Sequence, residues 1–264
     1  MFHRTLIKKM VRKMRWRNYL DFLWAMTEKE IKARYKRAVF GFLWVILNPL
    51  LQMLIIGAIF SFFIRIPNYF LFLFTGLLPW EFISLSLTKA TPSIVYERSL
   101  LQKAKFPIEV IPISIILSNF FNMLISFGLF CLILIFLRRI TFLSLALFVP
   151  TFIWLLLFTI GLTLLTSSLQ VKYRDVSFFI QTILILWFYA TPVLYSLSLI
   201  PAQIHLLFSL NPLTSIFELL HFALLNQGLI DFKIMIINIL ISIFIFIMGV
   251  IIFKREHKYF VDWL

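Results

Sequence analysis

The sequence predicts an all-α membrane protein: six transmembrane helices, an N-terminal amphipathic interface helix, and an external re-entrant helical segment between spans five and six. Three observations carry that prediction. Of 264 residues, 62% are hydrophobic and 14% charged. Soluble domains run at about 45–50% and about 25%, so no single water-soluble core could enclose these apolar side chains. Long stretches lack any Asp, Glu, Lys or Arg, and the 25 Lys and Arg, against 11 Asp and Glu, are unevenly distributed along the chain. The same figures exclude soluble-enzyme, disordered, collagen-like and disulfide-scaffold classes. The single cysteine, Cys131, lies in an apolar run and permits no internal disulfide.

A bilayer core about 30 Å thick takes roughly 20 helical residues to cross. The uncharged runs are 43–64, 110–137, 140–171, 176–217 and 234–253, and 69–87 is a sixth, interrupted only by Glu81. Their Phe, Ile and Leu residues cover all helical faces rather than one stripe, as lipid-embedded helices do. Run 176–217 is long enough to cross twice, and the basic residues decide against it. With one crossing there, 21 Lys and Arg fall on one side, 12 of them within residues 1–37, and only Arg65, Arg138, Arg139 and Lys233 on the other. The positive-inside rule then places both termini in the cytoplasm and makes the number of spans even.

Spans are therefore expected at about 43–64, 69–90, 110–137, 143–169, 178–197 and 233–253, in one transmembrane domain covering 1–264. Residues 1–42 form a cytoplasmic tail and interface helix, and 254–264 a cytoplasmic tail. Residues 198–231, broken by Pro201 and Pro212, make an external segment. Its apolar stretch 213–225 is expected to dip into the outer leaflet, where non-helical backbone must be buried in protein or line a wet cavity. A hairpin lying on the outer surface is the alternative. No cleavable signal peptide is expected: the first long apolar run starts near residue 43, behind a basic stretch too long for an n-region.

Residues 1–17 are basic without one acidic residue. They are expected beside anionic headgroups, where each Lys or Arg contributes about 1 kcal/mol, and not on nucleic acid, since no soluble domain presents them. In 19–35, Leu20, Leu23, Trp24, Thr27, Ile31 and the pair Arg34 and Tyr35 recur at spacings of three and four, while Asp21, Glu28, Lys29, Lys32 and Lys36 occupy other faces. That pattern is an amphipathic helix in the inner interface, leading directly into the first span. Such a helix is either a passive anchor or a lever.

Little of the chain looks catalytic. The histidines His3, His205, His221 and His257 are not at metal-ligand spacing, and HExxH, CxxC and GxSxG are absent. The seven glycines are isolated, so no phosphate-binding loop exists. The expectation is a chain with no catalytic residue, no metal site and no cofactor of its own. Glu81, after Pro79 and Trp80, is an intramembrane charge and by default a functional candidate: a proton carrier or a hydrogen-bonded structural group. Trp187, Phe188, Tyr189 and Tyr195 offer flat faces and polar tips suited to sugar rings, or else form an aromatic belt at the membrane boundary.

Several segments together resemble the permease subunits of polysaccharide-exporting ABC transporters. Residues 26–54, MTEKEIKARYKRAVFGFLWVILNPLLQML, are similar to that family's opening pattern RDLK-RYK-S-LG-LW-ILNPL. Residues 100–114, LLQKAKFPIEVIPIS, resemble its K-FP-E-LP loop leading into span three. VKYRDVSFFIQTILILWFYATPVLYSLSLIP at 171–201, NPLTSIFELLHFALL at 211–225 and FKREHKYFVDWL at 253–264 match later blocks in the same order. The departures are TEKE at 27–30, where the family often has an Arg-Asp pair, and Ala38, where it often has Ser.

The resemblance implies a type-2 exporter of O-antigen, capsule or teichoic acid: two copies of this permease in a homodimer and two separate ATPase subunits that hold ATP and Mg, with a lipid-linked glycan as cargo in the cytoplasmic (inner) membrane. It implies that helix 19–35 rests on the ATPase and that loop 93–106 is the coupling helix. Glu28, Glu30, Arg34, Tyr35, Tyr96, Glu97, Arg98, Lys103, Lys105 and Phe106 would then serve coupling. It further implies that spans one and five face the partner copy across a channel lined by Trp44, Trp187, Phe188, Tyr189 and Tyr195. Three other readings stay open on the residues alone: a type-2 exporter of a drug, lipid or small molecule, a proton-coupled transporter using Glu81, and a membrane-embedded glycosyl- or acyltransferase.

Overall fold

Backbone amides placed in hydrocarbon must find their partners inside their own segment, and a helix does this without help. The structure, a computed structural model, describes residues 16–36, 39–103, 106–137, 142–228 and 230–263, and no strand occurs among them. In chain order the helices are α1 (Trp16–Tyr35), α2 (Trp44–Phe60, preceded by a 3₁₀ turn at Gly41–Leu43), α3 (Tyr69–Ala90), α4 (Ser93–Tyr96), α5 (Arg98–Lys103) and α6 (Val110–Phe136). They continue with α7 (Phe142–Lys172), α8 (Val176–Tyr189), α9 (Ala202–Ser209), α10 (Pro212–Leu225), α11 (Phe232–Glu256) and α12 (Phe260–Trp263). Five of them, α2, α3, α6, α7 and α11, are long and apolar enough to cross a membrane.

Helix α3 is the hub. Fifteen of its 22 residues are buried, and it packs against α2, α6, α7, α8 and α10. Helix α2 is the opposite case, with only Pro49 and Gly57 buried among its 17 residues. Its apolar surface is left for lipid or for another protein.

Helices α7 and α11 make the most extensive pairing of the fold, and the contact turns on two glycines. A Cβ on Gly249 would lie 2.0 Å from the Gly161 carbonyl oxygen, and one on Gly161 would lie 2.3 Å from the Phe246 Cα. Apolar side chains gain little by leaving lipid for a helix interface, so backbone approach at small residues supplies the packing instead.

Span five departs from expectation. Instead of running over 178–197, its helix α8 stops at Tyr189 after 14 residues, a rise of about 21 Å against the roughly 30 Å of a hydrocarbon core. Pro192 follows closely: it lacks an amide hydrogen and disfavours helical backbone at Thr191. Beyond it, Val193 and Leu194 are buried in a turn and a bend, and Leu197 at the start of a 3₁₀ turn, Leu197–Leu199. Side chains satisfy that backbone: the Tyr69 hydroxyl donates to the Leu194 carbonyl at 2.9 Å, the Tyr195 hydroxyl to the Tyr189 carbonyl at 2.6 Å, and the Leu197 amide donates to Glu218 Oε1 at 3.4 Å.

Helices α9 and α10 meet at 95°, the bend of a broken span or of a re-entrant segment. Asn211 sits at the corner and organises it. Its Oδ1 caps α10 by accepting from the Leu213 amide at 3.1 Å and also accepts from Trp187 Nε1 at 3.0 Å. Its Nδ2 donates to the Ala190 carbonyl at 3.1 Å and to Thr191 Oγ1 at 2.9 Å. Twelve of the 14 residues of α10 are buried. Among them His221 stacks on Phe72 with ring centroids 3.7 Å apart, its Nε2 3.1 Å from the Phe72 carbonyl. A carbonyl only accepts, so Nε2 carries the proton. From α11, Asn238 Nδ2 donates to the Ser209 carbonyl and to Ser215 Oγ, tying the corner to the last span.

Asn211→Ala removes a helix cap and three further hydrogen bonds together. We expect a loss of at least about 2 kcal/mol, the upper end for a single cap, read as a lowered melting temperature of the detergent-solubilised protein with the helical signal retained.

Helix α1 packs on α6 with part of the expected stripe, Leu23, Thr27 and Arg34, turned inward. Leu20 and Trp24 are exposed, Trp24 at 64%, whereas Met26 and Thr27 are buried. The inward face comprises Tyr19, Leu23, Met26, Thr27, Glu30 and Arg34, at helical spacing. The rotation follows from what the helix meets: protein with a polar partner for Arg34 on one side, leaving Leu20 and Trp24 outside.

Candidate functional site

Three arrangements of polar and aromatic side chains stand out. The first joins α1 to the segment after α3. That segment is expected as one coupling helix over 93–106, and the structure breaks it at Glu97 (φ −90°, ψ 21°) into the short helices α4 and α5. Glu97 Oε1 accepts from Lys29 Nζ of α1 at 2.9 Å, and the Phe106 ring lies 5.1 Å from that of Phe22. Burial, with the Glu109 carboxylate nearby, raises the Tyr19 phenol above its ordinary pKa, so α1 also engages the start of α6.

In this platform Tyr96, at 78%, and Arg98 are exposed. Glu28 is exposed and paired one turn on with Lys32. Glu30 is half-buried and Phe106 turns back onto α1. Lys103 ends α5, and Lys105 lies outside the described residues. A surface ion pair such as Lys29–Glu97 contributes about 0–1 kcal/mol; its role is to fix the relative position of two elements.

The second arrangement is a cleft of about 260 Å³ between α1, α2, α3 and α6, lined by Arg34, Tyr35, Trp44, Asn48, Glu81, Lys89, Asn119, Asn122 and Ser126 among others. Arg34 and Tyr35, expected at the ATPase contact, line this cleft, as does Trp44, expected in the channel. Arg34 Nη2 donates to Asn119 Oδ1, and Asn119 Nδ2 donates to Ser86 Oγ at 3.2 Å. Asn48 Nδ2 donates to Glu81 Oε1 at 2.6 Å, and Ser126 Oγ donates to the Val45 carbonyl at 2.9 Å. Glu81 is thus one member of a polar cluster. Its amide members are invisible in apolar runs defined by absent charge, which uncharged Asn passes; the asparagines of spans one and three are the available signal.

The third is a groove of about 330 Å³ between α2, α3 and α8, lined by Gln52, Ile56, Trp80, Ser84, Thr88, Gln181, Leu184, Ile185, Phe188 and Tyr189. The Phe188 ring lies 5.3 Å from Trp80 and also 5.3 Å from Tyr189. Aromatic faces beside amides and hydroxyls suit a sugar chain. Of the aromatics expected in a channel, Phe188 and Tyr189 line this groove. Trp187 points away, its Nε1 on Asn211 and its ring 6.0 Å from Phe158, and Tyr195 is spent on the Tyr189 carbonyl. Trp80, Ser84, Thr88, Gln52 and Gln181 are additions from the structure. Among the described residues, no group of three or more His, Cys, Asp or Glu could hold a metal ion.

The model of the family described as ABC-2 type transporter matches residues 21–225. The chain belongs to the ABC-2 type transporter family. The matched range of this ABC-2 permease contains the lining of the cleft and the groove and, apart from Tyr19, the residues of the platform. A relative from Myxococcus xanthus, named O-antigen export system permease protein RfbA, is 36% identical over 202 residues, 75% of this chain and 78% of that one. Two relatives of the same name from Klebsiella pneumoniae are 33% identical over 256 residues and 31% over 247, each covering 92% of the permease and 95% of its relative.

Proposed function

We propose that this permease exports a lipid-linked polysaccharide of the O-antigen kind across the cytoplasmic membrane, as a homodimer driven by two separate ATPase subunits. The observation that carries the reading is the likeness over 92% of the chain to permeases named for O-antigen export. The aromatic and amide groove between α2, α3 and α8 supplies the matching chemistry. ATP and Mg²⁺ belong to the ATPase partners. Both termini face the cytoplasm, as the basic-residue asymmetry requires, so α4, α5 and α1 form the inner face on which the ATPase seats. Span one, almost bare in the monomer, meets the second copy beside α8, and the groove becomes part of a central channel. Closure of the ATPases presses the platform, and α1 passes the displacement through residues 36–43 to span one.

Deleting the gene tests this. Surface polysaccharide disappears and lipid-linked glycan accumulates on the cytoplasmic side, and the intact gene restores export; unchanged surface polysaccharide refutes the reading. Within the groove, Trp80→Ala is expected to slow export about tenfold, the scale of one aromatic face worth about 1–1.5 kcal/mol, measured as the rate of surface polysaccharide appearance at matched expression.

A further inference from the structure

The cleft around Arg34 is more elaborate than a coupling contact requires. Asn122 forms part of its lining and is only 6% exposed, yet neither its Nδ2 nor its Oδ1 has a hydrogen-bond partner. A buried amide left without partners is costly, and such groups in native structures point to an occupant. Around it stand Arg34, the α3 end residue Lys89, and Asn119 as donors, with Glu81 held in place by Asn48. Trp44, itself exposed at 41%, and Tyr35 flank the same space. Two cations and two amides suit a phosphate. A bare phosphate would leave Glu81 repelled and the Asn122 carbonyl without a donor. Hydroxyl groups next to the phosphate would satisfy both.

We propose that this cleft binds the headgroup of a membrane lipid whose phosphate is esterified to a polyol, with Arg34 and Lys89 at the phosphate and Asn122 and Glu81 at the hydroxyls. The headgroup belongs either to a glycerol-phosphate bulk lipid or to the sugar-phosphate end of a polyprenyl carrier. The inference goes beyond the export reading, because it concerns what the permease itself retains. It also makes the cleft a feature of each single copy, held between α1 and three spans, rather than of an interface between copies. Since Arg34 is carried by α1, movement of that helix would open or close the site.

The test is native mass spectrometry of the full-length permease released from nanodiscs that contain phosphatidylglycerol, a polyprenyl phosphate monosaccharide or phosphatidylcholine. Phosphatidylcholine has the phosphate without the polyol. We expect the first two, or either alone, to be retained at least tenfold over phosphatidylcholine. Arg34→Gln and Asn122→Leu should each lower that retention about tenfold, and Lys254→Gln, outside the cleft, should not. Asn122→Asp keeps the size of the side chain and adds negative charge, so it covers the case in which the leucine variant does not fold. Glu81→Gln should weaken the preference over phosphatidylcholine. Selective retention of phosphatidylglycerol alone makes bulk lipid the source; retention of the sugar phosphate, alone or with it, makes the carrier the source, and either result supports the site. Equal retention of all three lipids, folded Arg34 and Asn122 variants that retain lipid as the unaltered chain does, or an equal loss with Lys254→Gln overturns it. Selective retention together with intact surface polysaccharide in the deletion strain would leave this site standing while the export reading falls; the reverse outcome would do the opposite.

Discussion

Gly249→Leu is expected to abolish the folded permease. The Gly249 Cβ position is 2.0 Å from the Gly161 carbonyl oxygen, and the obstruction is backbone rather than the mobile end of a side chain. Helices α7 and α11 would have to separate by several ångströms along the most extensive pairing of the fold. The Trp154 Nε1 to Ser242 Oγ bond at 2.8 Å and the Asn238 ties to Ser209 and Ser215 would be pulled with them. Overpacking a filled core typically costs 1–3 kcal/mol, and we expect about 3 kcal/mol or more here. That is a large fraction of a marginal folding free energy. The readout is size-exclusion chromatography in detergent, where the variant should elute as aggregate. Gly249→Ala should melt lower than the parent rather than be tolerated, since one methyl group already enters the space of the Gly161 backbone. A fully monodisperse Gly249→Leu with an unchanged melting temperature would show that the two helices are not in the contact described.

The second large effect is functional and leaves the fold intact. Tyr96 and Arg98 are the exposed side chains on either side of the break at Glu97, and neither contributes to the buried core. Tyr96→Ala with Arg98→Ala is therefore expected to preserve expression and melting temperature. Export-linked ATP hydrolysis of the assembled transporter should fall about 30-fold, the scale of losing one aromatic anchor worth about 2 kcal/mol at a protein interface. Basal ATP hydrolysis by the isolated ATPase would be unaffected. Lys29→Glu serves as the comparison. It removes the link between α1 and Glu97 without touching the exposed face, and Lys29→Glu with Glu97→Lys should recover most of the loss. No recovery would mean that the pair does not transmit force between the two elements.

The helical membrane class was legible because it rests on quantities summed over long windows: charge-free length and the side on which basic residues fall. Helix α3 runs over Tyr69–Ala90 with Pro79 accommodated inside it. Hydropathy treats 178–197 as uniform and so carries span five through Pro192, whereas α8 ends short of that ring at Tyr189. The stripe of α1 was legible in part. Leu23, Thr27 and Arg34 belong to it and turn inward, Arg34 onto Asn119 of α6, whereas Leu20 and Trp24 of the same stripe stay exposed. The amide cluster of the cleft was invisible to any single window, because Asn48, Asn119 and Asn122 come from runs some 70 residues apart and only the packing of α2 against α6 unites them. Trp187 was read by residue type alone as a sugar-facing aromatic; its destination depended on Asn211, 24 residues away.

The early stop of α8 bears on the energetics of moving a polar polymer. With about 21 Å of helix where a bilayer offers roughly 30 Å, and with Tyr69, Tyr195 and Asn211 hydrogen-bonded to the backbone that follows, the low-dielectric barrier next to the groove would be thinner than the membrane around it. Fewer hydroxyl-bearing units would then have to be stripped of water at any one moment. The work of translocation would be divided into smaller increments, each closer in size to what a single turnover of an ATP-hydrolysing partner can deliver.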